Sequence, residues 1–120
     1  MPDPPLRGRA ERHLPLTEPV FQILLALSDR DLHGYAIIQD IRARTAGEVD
    51  LTASTLYAAV KRLLDTELIR EVTQRPPDDD PRRRYYQITE LGLDVARLET
   101  ARLERTLRMA RQKRLAPRKT

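Results

Sequence analysis

Between Thr52 and Arg62 the chain sets hydroxyls and cations close together: Thr52, Ser54, Thr55 and Tyr57, then Lys61 and Arg62. Hydroxyls and a guanidinium can reach base edges in a major groove, and an ammonium suits a phosphate. A second group stands at Arg82, Arg83 and Arg84, beside Tyr85 and Tyr86. Consecutive guanidiniums at an exposed turn fit a phosphate backbone or a minor groove. Asp78 to Asp80 precede them and act the other way, because they can pair with the arginines and shield them. Those aspartates lack the alternating ligand spacing of a calcium loop. Covalent and acid–base chemistry find no comparable arrangement. The chain has no cysteine, and its four glycines are isolated rather than grouped in a phosphate-cradling loop. Ser28 and Ser54 lack a glycine-rich elbow. His13 and His33 are far apart, which disfavours a histidine metal cage. The expectation is a binding protein without metal or cofactor, and not an enzyme.

The elements that must position these groups follow from hydropathy spacing. Residues 1–14 carry Pro2, Pro4 and Pro5 with no apolar period and read as a flexible N-terminal arm. Thr17 before Glu18 and Pro19 marks a helix start. Val20, Ile23, Leu24 and Leu27 then recur at helical spacing to about Ser28. A second helix opens at His33-Gly34-Tyr35, buries Ile37, Ile38 and Ile41, and stops at Gly47. The third begins in Thr52-Ala53-Ser54-Thr55. It turns Leu56, Ala59, Val60, Leu63 and Leu64 inward and Thr55, Ala58, Lys61, Arg62 and Asp65 outward. Two β-like runs, Leu68 to Gln74 and Arg83 to Ile88, flank a proline- and aspartate-rich insert, which describes a hairpin with a long exposed tip. Thr89 and Glu90 start a last helix reaching about Arg114, followed by a disordered basic tail over residues 115–120.

Three helices, a two-stranded wing and a long final helix make a mainly α fold, the winged helix-turn-helix. The expected divisions are the arm, a winged domain over residues 15–88, a dimerisation helix over residues 89–114, and the tail. In the last helix Leu93, Ala96, Thr100, Leu103, Leu107 and Ala110 follow heptad spacing, while Leu91, Val95 and Leu98 form a second stripe. Two apolar faces need two partners: the chain's own body and a second copy. A helix of about 39 Å also exceeds what so small a body can cover.

Charge points the same way as the side chains. The net charge is +4, and the segment from Arg97 onward carries nine basic residues against two glutamates. A basic segment on a weakly acidic body suits a polyanion. The longest apolar run, Val20 to Leu27, is too short to span a bilayer. No basic-then-apolar leader opens the chain, so it reads as an unsecreted, cytoplasmic protein.

The blocks LTEPVFQILLALSDRDLHGYAI, LTASTLYAAVKRLLDTELI and DPRRRYYQITELG, followed by an arginine- and leucine-rich helix, resemble the PadR family of bacterial transcriptional regulators over about residues 14–112. Thr52, Ser54, Thr55, Leu56 and Tyr57 match the family's S/T-x-x-T-L-Y element, and Lys61 and Arg62 its K-R pair. His33, Gly34 and Tyr35 match HGY; Arg84, Tyr86, Thr89 and Gly92 match R-x-Y-x-x-T-x-x-G. Glu67, Ser54 and Ala58 depart from the pattern, standing where glycine, glycine and proline are frequent. The resemblance implies a homodimeric repressor whose third helix enters the major groove of a pseudo-palindromic operator. Arg82, Arg83 and Arg84 then lie along the DNA backbone, and Tyr35 orients the third helix and touches a phosphate. It also leaves room for a small aromatic effector. Two other readings of the same residues stand beside this one: a winged-helix protein-interaction module, and a sequence-tolerant nucleoid-type DNA binder driven by the basic tail.

Overall fold

The computed structural model describes residues 6–73, 76–77 and 79–117. The helices are α1 (Leu6–Glu11), α2 (Glu18–Leu27), α3 (Gly34–Arg44), α4 (Ala53–Asp65) and α5 (Glu90–Gln112). The strands are β1 (Leu32–His33), β2 (Ile69–Val72) and β3 (Tyr85–Ile88).

Local chemistry sets most helix starts. Thr52 Oγ1 accepts the Thr55 N–H at 3.2 Å, and Thr89 Oγ1 accepts the Gly92 N–H at 3.0 Å. Each satisfies one of the donors that a first helical turn leaves open. His33 does the same for α3, its Nδ1 accepting the Ala36 N–H at 3.2 Å. Thr17 occupies the cap position of α2, but its hydroxyl makes no capping bond; Pro19 in the first turn removes one open donor instead.

The helix ends depart from the sequence expectation. Helix α3 stops at Arg44, before Gly47, and it closes through two left-handed residues, Ala46 (φ 52°) and Gly47 (φ 82°), with the Gly47 N–H bonded to Arg42 C=O at 2.8 Å. Helix α4 closes through Glu67 (φ 63°), with Leu68 N–H bonded to Leu63 C=O at 2.9 Å and Glu67 N–H to Leu64 C=O at 3.1 Å. These two bonds close the helix as a Schellman motif, with glutamate in the position that favours glycine. Helix α5 ends at Gln112, with Arg114 left-handed and the Leu115 N–H bonded to Ala110 C=O. Of the expected tail, residues 118–120 lie outside the described residues.

The core joins α2, α3 and α4. Ile23, Leu24, Leu27, Ile37, Ile41, Leu56 and Leu63 are almost wholly buried. Each such side chain contributes roughly 1.5–3 kcal/mol over its exposed state. The wing closes this core from one side, with Ile69 and Tyr86 turned inward. The sheet is antiparallel in the order β1-β3-β2, with Ile69 opposite Ile88, Glu71 opposite Tyr86, and Leu32 opposite Tyr86 on the other edge. The wing is therefore three-stranded. The two residues of β1, where the sequence predicts no strand and His33 reads as opening the second helix, pair with β3 because α2 and α3 hold them against its free edge. A two-residue strand leaves no period-2 pattern to read.

The N-terminal arm is also corrected. Residues 6–11 are helical, and Ala10 is completely buried; residues 1–5 lie outside the described residues. Helix α1 packs on α5, and Leu14 and Leu16 pack against the core. The Leu16 N–H donates to Glu99 Oε2 at 2.5 Å, and Arg102 donates to Glu99 Oε1. A carboxylate as buried as Glu99 (1% exposed) requires such partners. Six residues cannot hold a helix alone in water, so docking on α5 supplies the stability that composition could not reveal.

Candidate nucleic-acid interface

Helix α4 divides as its sequence pattern requires. Leu56, Val60 and Leu63 enter the core, while Ser54, Thr55, Tyr57, Ala58, Lys61 and Arg62 are exposed. The hydroxyl of Thr52 caps the helix and also lies 3.0 Å from Thr55 Oγ1 and 3.3 Å from Ser54 Oγ. The three hydroxyls form one hydrogen-bonded group at the positive end of the helix dipole, where backbone N–H groups and charge favour an anion. Lys61 Nζ is 3.4 Å from Asp65 Oδ2, a largely exposed pair that gives way easily to a phosphate.

Tyr35, 60% exposed, lies in the first turn of α3 beside Tyr57. The approach of the two helices depends on Gly34. A Cβ there would stand 2.7 Å from the Tyr57 hydroxyl and 3.2 Å from Leu56 Cδ2. The Tyr35–Tyr57 face and the wing arginines Arg82 to Arg84 enclose a groove of about 390 Å³, with Tyr86 at its base. Two parts of the sequence that carry no sign of proximity thus meet on one concave, cationic surface.

Carboxylates accompany each wing arginine. Arg82 is 89% exposed and bonds the Asp80 carboxylate at 3.2 Å. Arg84, 74% exposed, lies 3.9 Å from Glu71. Arg83 bonds Asp79 Oδ1 at 2.7 Å, and there the carboxylate is only 7% exposed. Burial pushes the Asp79 carboxyl up. The nearby Tyr85 hydroxyl and the Arg83 guanidinium outweigh that and hold it below the usual carboxylate range. The Tyr85 ring meets the His33 ring edge-on, with centroids 5.3 Å apart. Burial, then the charge of Arg83, push the His33 imidazole below its ordinary range, partly offset by Asp79. His33 is thus neutral at pH 7, as its acceptor role at the α3 cap demands. Neither the capping role of His33 nor the inward turn of Asp79 had a signal in the sequence, since each depends on packing between distant segments.

The heptad residues of α5 divide between two environments. Leu103 and Leu107 are about 40% exposed, and Thr100 is exposed. Leu93 and Ala110 are half-buried, whereas Ala96 is buried in the chain's own core. The second stripe meets the body, with Leu91 and Val95 buried and Leu98 packed against them. Met109 (58% exposed) extends the apolar surface beyond the expected seam. Among the described residues no group of three or more potential ligands is placed to hold a metal ion, and no helix is long and apolar enough to cross a membrane.

The sequence model of the family described as Transcriptional regulator PadR-like family matches residues 23–98. An uncharacterized protein of Lysinibacillus sphaericus is 39% identical over 70 residues, covering 58% of this chain; the match spans 63% of that protein's length. A transcriptional regulator from Clostridium thermocellum superposes with a TM-score of 0.68 at 28% identity, over 78% of this chain and 87% of the other. A PadR family transcription regulator from Clostridium difficile gives 0.69 at 25% identity, over 80% and 97%.

Proposed function

This chain belongs to the PadR-like family of transcriptional regulators, and from that premise we propose that it acts in the cytoplasm as a homodimeric repressor of a pseudo-palindromic operator. The observation that carries the reading is the cationic groove. Tyr57 of α4 borders the groove with Arg82 to Arg84, and beside it Lys61 and Arg84 line a second depression, so α4 and the wing adjoin as a duplex seated on a helix and a wing requires. Ser54, Thr55 and Arg62 face base edges; Tyr35, Tyr57, Lys61 and the wing meet the backbone. Thr52 serves this face through its cap.

The second copy is assigned to α5. Leu103, Leu107 and Met109 leave an apolar surface that the body does not cover. Pairing through it sets two α4 helices against half-sites about 34 Å apart, one turn of the duplex. Leu103→Glu combined with Leu107→Glu tests this: sedimentation should show a dimer becoming a monomer. The resemblance to regulators of this kind leaves room for a small aromatic effector that relieves repression, and equally for control by protein level or by a neighbouring membrane protein.

The deciding experiment is capture of genomic fragments by the purified protein at physiological salt, followed by sequencing. A shared inverted repeat supports the specific regulator. Broad recovery without a motif favours the nucleoid-type binder. No recovery transfers the assignment to a protein-docking module.

A further inference from the structure

We propose that the three wing arginines do two different jobs: Arg82 and Arg84 take DNA phosphates, while Arg83 is held by the inward carboxylate of Asp79 and fixes the wing tip. Asp79 is then a positioning residue for DNA binding. The inference rests on the DNA-binding reading above and divides a cluster that sequence treats as uniform.

The division follows from what each arginine would leave behind. Asp80 accepts from the Arg82 N–H, Nε and Nη2, but with the guanidinium 89% and the carboxylate 36% exposed, water screens the pair and can replace it. Arg84 and Glu71, at 3.9 Å and both open, are looser still. Either arginine can exchange its carboxylate for a phosphate at small cost. Arg83 cannot do so on the same terms. Its partner Asp79 is 7% exposed, and Asp79 Oδ2 is buried without a well-formed hydrogen bond. Moving Arg83 onto DNA would leave that carboxylate buried beside an approaching polyanion, the most unfavourable arrangement for a charge.

Geometry supplies the reason for holding Arg83 in place. Asp79 and Arg83 are the two ends of the turn that leads into β3, and Tyr85, the first residue of that strand, sits edge-on to His33 at the α3 cap. The Arg83 N–H also bonds Asp80 C=O at 3.0 Å, and the Asp79 N–H bonds Pro76 C=O at 3.1 Å. The Asp79–Arg83 pair therefore ties the wing tip to the same corner that starts α3. This sets the direction in which Arg82 and Arg84 project toward the groove.

The test is the salt dependence of binding by the full chain, on a duplex carrying its selected sequence and on an unrelated duplex, with melting temperatures measured alongside. Each phosphate contact contributes about 0.9 to the slope of log affinity against log salt, so about 2 for a dimer. Arg82→Ala and Arg84→Ala should each make the slope shallower by about that amount. Arg83→Ala should leave the slope unchanged while weakening binding about three- to tenfold, the scale of coupling between touching groups. Asp79→Asn should weaken binding similarly, and the double variant should be no worse than either single one. Arg83→Gln replaces Arg83→Ala if the latter lowers the melting temperature.

The proposal is overturned if Arg83→Ala flattens the slope as Arg82→Ala does. It is equally overturned if Asp79→Asn tightens binding and steepens the slope, for then Asp79 only screens a phosphate ligand. A wild-type chain without salt-dependent binding to either duplex overturns both this division and the DNA-binding reading. Normal slopes with the wrong pattern among variants overturn the division alone.

Discussion

Replacing Gly92 by alanine should damage the joint between wing and final helix. Gly92 lies in the first turn of α5, and a Cβ there would stand 2.1 Å from the Leu68 carbonyl oxygen and 2.8 Å from Ile88 Cγ1. A carbon–oxygen contact needs about 3.3 Å, so the shortfall is about 1.2 Å. The obstacle is backbone that cannot turn aside. The Leu68 N–H closes α4 on Leu63 C=O at 2.9 Å, and the Leu68 carbonyl accepts the Thr89 N–H at 3.0 Å. Thr89 in turn donates to Glu67 C=O at 2.7 Å. To admit a methyl group, α5 must lift away from this corner and weaken those bonds. Overpacking costs about 1–3 kcal/mol and a strained hydrogen bond about 1 more, offset by about 1 kcal/mol from alanine's helix propensity. The net loss is about 1–3 kcal/mol, or roughly 4–12 °C in melting temperature for a domain of this size. Thermal unfolding followed by circular dichroism reads it directly. A Gly92→Ala melting temperature at or above the wild-type value would refute the reasoning, since the clash with Leu68 could then not be real.

Glu67→Gly should stabilise the chain by about 0.5–1 kcal/mol, because the left-handed residue closing α4 is strained for any side chain; an unchanged or lower melting temperature would count against the Schellman closure. Gly34→Ala should displace the Tyr57 ring and weaken DNA binding, and adding Tyr57→Phe should recover part of the stability by removing the hydroxyl that the new methyl meets; thermal melts and binding of both variants test it. Stability should fall as the medium is acidified. The folded value of His33 lies below its unfolded value of about 6.5, so its contribution is complete above about pH 6.5 and is lost as pH falls through the lowered folded value. Its protonated ring cannot accept the Ala36 N–H. His33→Asn keeps a capping acceptor without titrating, so its melts should fall less between about pH 7 and pH 5 than those of wild type. His13, shifted the same way by burial and Arg9, remains in both proteins. Arg62→Ala should relax sequence preference at one position by about 1–3 kcal/mol, whereas Lys61→Ala should weaken all sequences about equally; binding to duplexes with single base changes distinguishes the two.

By sequence alone, the helical stripes of α2, α3 and α4, the outward hydroxyl and cation face from Ser54 to Arg62, and the wing placed before a long helix were all determined. Those features repeat every few residues, because each helix must turn one face to the core, and local spacing records that need. The glycines at positions 34 and 92 were visible as motif residues, but their reason was not: each admits a close approach from a segment distant in the chain. Tertiary structure alone decided the rest. It converted part of a proline-rich arm into α1 by docking it on α5, where buried Glu99 receives the Leu16 N–H. It completed the wing with β1, and it drew Ala96 out of the expected seam into the chain's own core. It also separated Arg83 from its two neighbours by burying Asp79. A six-residue helix, a two-residue strand and a buried carboxylate share one property: none is stable or recognisable alone. Each exists because a distant segment removes water from it and supplies its partner.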